Sequence, residues 1–157
     1  MIREAGLTPG TQSINIRIDQ AGAEVAQALE IEEESRVIKI DRIRTANEKP
    51  VVITTDTLPY ESFNEQAIEA DQLQSQSLYQ YLFDKKRIRI IHGLAKITAV
   101  LASSQMARLL NVRRGTALLR ITQIDFTVDE QPFIYSDEYH LTDSFTFIIN
   151  RKGPHPH

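Results

Sequence analysis

The stretch from Ala26 to Leu58, AQALEIEEESRVIKIDRIRTANEKPVVITTDTL, returns in outline from Ala107 to Leu141, ARLLNVRRGTALLRITQIDFTVDEQPFIYSDEYHL. Ala26 matches Ala107, Leu29 matches Leu110, and Ile31 matches Val112. The apolar run Val37, Ile38, Ile40, Ile43 matches Leu118, Leu119, Ile121, Ile124. After a one-residue shift, Pro50 matches Pro132. A repeat of this kind is one supersecondary unit used twice. Each copy reads as a short helix, a tight turn, a long strand, a turn ending in proline, and a second strand.

The local chemistry agrees. Ala21 to Leu29 places apolar residues at helical spacing, as do Met106, Leu109 and Leu110 behind a serine cap at Ser103 or Ser104. SRVIKIDRIRT and ALLRITQIDFTV are β-branched and partly alternating. ANEKP and VDEQP read as hairpin turns, VVITTDTLP and FIYSDEYHL as return strands. Two such units can pair their hairpins into one antiparallel sheet with helices outside. The expected fold class is therefore α+β, an antiparallel sheet flanked by helices with an internal pseudo-repeat.

Outside the repeats, Gln12 to Asp19 alternates like a strand. Ser77 can cap a helix running to about Lys85, with Leu78, Tyr81 and Leu82 on its buried side. Ile88 to Ala102 reads as a long strand with a bulge near Gly93, and Ser144 to Arg151 as a closing strand. Residues 152–157 read as a disordered tail; its His155 and His157 are more simply solvated than metal-binding.

The bulk numbers narrow the function. A chain of 157 residues suits one domain with a real core. Its 41% hydrophobic and 25% charged residues are ordinary for a soluble globular protein. No apolar run approaches the roughly 18 residues that span a bilayer, and MIREAGLTPG lacks the apolar centre of a signal peptide. The absence of cysteine excludes disulfides and thiolate metal sites. A cytoplasmic protein without a membrane partner is expected. The net charge of −3 argues against a nucleic-acid surface on this chain. Lys85, Lys86 and Arg87 are better read as cations at a helix end.

No nucleophile elbow, phosphate-cradling glycine loop or metal-binding His-Glu motif is present, so neither enzyme chemistry, a cofactor nor a metal is expected. What remains is a polar set on one sheet face. Arg42 and Arg44 are two apart on a strand and so share a face. Twin guanidiniums suit a phosphate or carboxylate. Thr54 and Asp56 share a face, as do Ser136, Glu138 and His140. On alternation alone these are more simply the solvent side of half-buried strands, and Tyr79 is equally a core aromatic with its hydroxyl toward water.

The pattern of the two A-x-x-L segments, IDRIRTANEKPVVITTDTLP, SLYQYL, PFIYSDEY and DSFTFIINR resembles the UTRA domain over nearly the whole chain. That domain is the effector-sensing half of GntR-type bacterial transcription regulators of the histidine-utilisation-repressor branch. The resemblance implies a chorismate-lyase-like fold, a ligand bound rather than converted, and a homodimer. It implies that Ser77, Tyr79, Arg42 and Arg44 hold the anionic group of a small effector such as a phosphorylated sugar or a carboxylate. It also implies a winged helix-turn-helix ahead of residues 1–151, absent from this chain, through which alone DNA would be bound. Relatives that sense amino-sugar phosphates carry glutamates where this chain has Thr54 and Ile134. Glu138 and His140, on the strand of Ile134, are the candidates to replace them. The alternatives are a lyase-type enzyme on the same fold and a dimerisation module without a ligand.

Overall fold

A computed structural model describes residues 2, 6–63, 68–143 and 146–153. Six strands form one antiparallel sheet. They are β1 (Pro9–Gln20), β2 (Arg36–Ala46), β3 (Lys49–Pro59), β4 (Ile90–Leu101), β5 (Ala117–Thr127) and β6 (Pro132–Leu141), in the spatial order β1-β2-β3-β6-β5-β4. The helices are α1 (Gly22–Leu29), α2 (Ala70–Ser75), α3 (Leu78–Lys86) and α4 (Ser104–Leu110). A short 3-10 turn, Tyr60–Phe63, follows β3.

The repeat is larger than the matched stretches. One half is β1-α1-β2-β3 and the other β4-α4-β5-β6. They meet where β3 pairs with β6, Thr54 opposite Glu138 and Asp56 opposite Ser136. Equivalent details recur. α1 ends on Glu30 at φ 56° and α4 on Asn111 at φ 55°, so each helix stops on a left-handed residue. The β2–β3 hairpin turns on Asn47 and Glu48, both at positive φ, which matches the twist of its strands.

The two faces of the sheet are covered differently. α1 packs Val25, Ala26 and Leu29 on Val37 and Tyr135, and α4 packs Ala107 and Leu110 on Leu118 and Leu141. The opposite face carries Ile38, Ile40, Leu58 and Ile134 under Leu73, Leu78, Tyr81 and Leu82 of α2 and α3. Leu82 and Ile134 are fully buried. Each such side chain contributes about 1.5–3 kcal/mol by leaving water. This packing clamps the first turn of α3 over the β2-β3-β6 centre.

Ser77 is the cap of α3, its Oγ accepting the Gln80 N–H at 3.1 Å, and Ser103 likewise caps α4 through Met106. Lys85 and Lys86 lie in the last turn of α3, where cations favour the helix dipole. β4 shifts register between Ile90 and His92, close to the expected bulge.

The closing strand is not formed. Residues 146–151 carry no strand, while Ser144 and Phe145 lie outside the described residues. β6 is flanked by β3 and β5, so the segment that leaves it does not add a strand beside it. Lys152 and Gly153 are exposed and irregular; the rest of the expected tail, including His155 and His157, lies outside the described residues.

Candidate functional site

Cross-strand pairing brings the polar set together. Arg42 on β2 stands opposite Thr54 on β3, which stands opposite Glu138 on β6. Asp56, Ser136 and, on β5, Gln123 form the adjacent row. α3 roofs this face, and between roof and sheet lies a cavity of about 160 Å³. Arg42, Arg44, Ser77, Tyr79, Ile134 and Glu138 line it, together with Asp56, Leu78 and Ser136. Thr54 and His140 are on the same sheet face but not in the lining; they are buried, 6% and 2% exposed.

The charges are unequally matched. Arg42 is buried and donates Nη2 to Asp56 Oδ2 at 2.7 Å, while Ser136 Oγ donates to the other carboxylate oxygen at 2.6 Å. Its Nε and Nη1 are buried without a hydrogen-bond partner, as is Thr54 Oγ1. Orphaned donors on a buried guanidinium are costly. Arg44 meets no carboxylate within ion-pair distance among the described residues. Its Nε reaches the Gly10 carbonyl at 3.4 Å. Burial, and next the Arg42 charge, hold the Arg44 guanidinium below its ordinary pKa, against the pull of Asp56 and Glu138. A second guanidinium held beside the first is a site that an incoming anion relieves.

The roof adds donors. The amides of Leu78 and Tyr79 precede the first intrahelical bond and carry the positive end of the dipole. The Ser77 hydroxyl accepts from Gln80, which leaves its own O–H to donate. Glu138 and His140 are partners of each other, Oε2 and Nε2 being 2.7 Å apart. That contact supplies an acceptor on the wall away from the arginines. Ile134 is fully buried and contributes an apolar wall.

Two polar residues of the site were not anticipated. Tyr79 donates its hydroxyl to Asp125 Oδ2 at 2.8 Å, and Gln123 Nε2 donates to Asp125 Oδ1 at 2.6 Å and to the Tyr79 oxygen at 3.2 Å. Burial first, then these bonds to the carboxylate, push the Tyr79 hydroxyl far above its ordinary pKa, so it stays a donor. The repeat carried the signal. The offset that maps Ile40 to Ile121 and Ile43 to Ile124 also maps Arg42 to Gln123 and Arg44 to Asp125. Gly93, opposite Asp125 on β4, makes room for this pair: a Cβ there would lie 2.6 Å from Asp125 Oδ1 and 2.8 Å from Gln123 Nε2.

Among the described residues, no group of three or more His, Cys, Asp or Glu side chains is placed to hold a metal ion. No helix among them is long and apolar enough to cross a membrane.

The chain is similar to known proteins in sequence and fold. The UTRA domain family matches residues 4–146. The HTH-type transcriptional repressor NagR of Bacillus subtilis is 24% identical over 147 residues, covering 94% of this chain and 59% of its own length. The mannosyl-D-glycerate transport/metabolism system repressor MngR of Escherichia coli is 27% identical over 129 residues, 81% of this chain and 52% of its own. The chain thus spans somewhat over half the length of these curated relatives. Among solved structures, the ligand-binding domain of a protein described as a GntR-family transcriptional regulator from Bordetella bronchiseptica superposes with a TM-score of 0.85 at 27% identity, covering 92% of this chain and 90% of that one.

Proposed function

Because the chain belongs to the UTRA domain family, as its match over residues 4–146 shows, we propose that it is the effector-sensing and dimerising domain of a GntR-type transcription regulator. The effector is a small anion, a phosphorylated sugar or a carboxylate, seated under the first turn of α3. Arg44 is the observation that carries this reading: a guanidinium with no carboxylate partner among the described residues, beside a buried Arg42 with two orphaned nitrogens, facing the start of a capped helix. Arg42, Arg44, Ser77 and Tyr79 hold the anionic group. Glu138, paired with His140, accepts hydroxyls from the rest of the molecule, and Ile134 forms the apolar wall, with Thr54 buried behind the lining. The domain binds its ligand and returns it unchanged. In the whole regulator, occupancy alters DNA binding by a winged helix-turn-helix domain ahead of residues 1–151, in the cytoplasm.

A second copy fits the same reading. β4 is an edge strand, so its outer backbone groups have no partner in the sheet, and it exposes Leu94, Ile97 and Leu101. Open apolar edges are covered in stable proteins, and symmetric pairs are the commonest assembly.

The test is calorimetry with sugar phosphates and sugar acids. A ligand at 100 times its dissociation constant also raises stability by about 2.7 kcal/mol, which a thermal shift reads. Arg44→Ala is expected to weaken binding at least about tenfold, or 1.4 kcal/mol, with the melting temperature of the free protein preserved. Ser77→Ala loses less affinity and about 1 kcal/mol of stability, because it removes the helix cap. Unchanged affinity in Arg44→Ala would remove the arginines from the site.

A further inference from the structure

At about 160 Å³ the cavity beneath Arg44 is smaller than the roughly 300 Å³ from which small-molecule sites usually begin. A second cavity, of about 240 Å³, adjoins it and shares Ser77 and Tyr79 as its wall. Its other lining includes Phe83, Ile88, Arg89 and Ile90. The first turn of α3 thus borders both cavities, and together they reach the size a metabolite needs. Their chemistry differs. The first holds two guanidiniums and two carboxylates. The second is lined by a phenyl ring 42% exposed and by two isoleucines that pack on the core from beneath, with a guanidinium at Arg89. The exposed Phe83 ring, one turn further along α3, gains by being covered, in proportion to the apolar area a ligand removes from water.

The geometry points to a two-chamber cleft for one elongated ligand: a sugar bearing a phosphate or carboxylate in the Arg42–Arg44 chamber, and an apolar-faced substituent that passes Ser77 and Tyr79 onto Phe83, Ile88 and Ile90. The effector class is a glycoside of an acidic or phosphorylated sugar rather than the free monosaccharide. This rests on the anion-site reading above, and the probes separate the two. Calorimetry compares two matched pairs on the whole chain: glucose 6-phosphate against phenyl β-glucoside 6-phosphate, and glucuronate against phenyl β-glucuronide. In at least one pair the phenyl compound binds about tenfold more tightly, a gain of 1.4 kcal/mol. Phe83→Ala, at an exposed position outside the core, abolishes that gain and leaves the parent sugar's affinity unchanged. If the parent sugars bind and the phenyl compounds bind no better, the second chamber is not a subsite. A gain that survives Phe83→Ala overturns it equally, and the wild-type ratio decides alone if that variant fails to fold. If none of the four binds, the anion site itself is wrong and the extension falls with it.

Discussion

Asp125 is the residue on which the roof and the sheet of the site are joined. It is 1% exposed, accepts from Tyr79 and Gln123, and occupies the space left by the missing side chain of Gly93. Burial raises its carboxyl above the ordinary aspartate pKa; the two hydrogen bonds oppose this, and the Asp56 and Glu138 charges reinforce it. A raised carboxyl favours the neutral form in the fold. Its contribution is therefore fully present below the ordinary aspartate value, near pH 4, and is lost as pH rises through the raised value. Asparagine keeps an acceptor for Tyr79 and does not titrate. Asp125→Asn should melt higher than the wild type at pH 7, with the difference shrinking toward pH 4. A pH-independent difference between the two melting curves would show that the carboxylate is not strained by its surroundings. Gly93→Ala belongs to the same contact. Its methyl meets Asp125 and Gln123 too closely, and overpacking of this kind costs about 1–3 kcal/mol.

Among the elements, α3 governs the site, because it brings Ser77, Leu78 and Tyr79 over three strands. Leu82, fully buried, anchors it on Ile134 and its neighbours. Leu82→Ala should cost about 2–5 kcal/mol in chemical denaturation and should weaken effector binding beyond that of a distant core truncation of equal cost. Equal ligand affinity in two such variants would detach α3 from the site. The Arg42–Asp56 pair ties β2 to β3 in the same way. Asp56→Ala strands a buried guanidinium, at about 3–5 kcal/mol. Much of this frame was legible in the chain. The repeated apolar pattern yielded the hairpins, Ser77 caps α3 as expected, and of the two candidates Ser103 and Ser104 it is Ser103 that caps α4. The one-face pairs Arg42 with Arg44 and Ser136 with Glu138 follow from alternation, which has a strict period. What alternation does not carry is the partner across the sheet. Asp56 reads as a solvent residue until β2 and β6 enclose it. Tyr79 and Asp125 lie 46 positions apart on different elements, so only the fold joins them. The closing strand is absent over residues 146–151 although the sequence reads as one, since residue pattern does not reveal which neighbour a segment can pair with.

At the scale of the molecule, the site sits on the seam between two related halves, where β3 meets β6. The halves present opposite chemistry there, Arg42 and Arg44 against Gln123 and Asp125. A ligand that neutralises one side bears on the other through Tyr79, and Asp125 reaches the open strand β4 through Gly93. On this reading the edge proposed to pair two copies lies two contacts from Tyr79, through Asp125 and Gly93. Light scattering at micromolar concentration should return about twice the chain mass, as for most symmetric assemblies. A monomer throughout that range would rule out the pairing. The central claim is that an anion belongs between Arg44 and the start of α3. A crystal structure grown in phosphate tests it most directly. One phosphate is expected within hydrogen-bond reach of the Arg44 guanidinium, the Ser77 hydroxyl and the first amides of α3. Phosphate bound elsewhere, with the Arg44 guanidinium turned away from the Ser77–Tyr79 turn and no shared cavity between them, would contradict it.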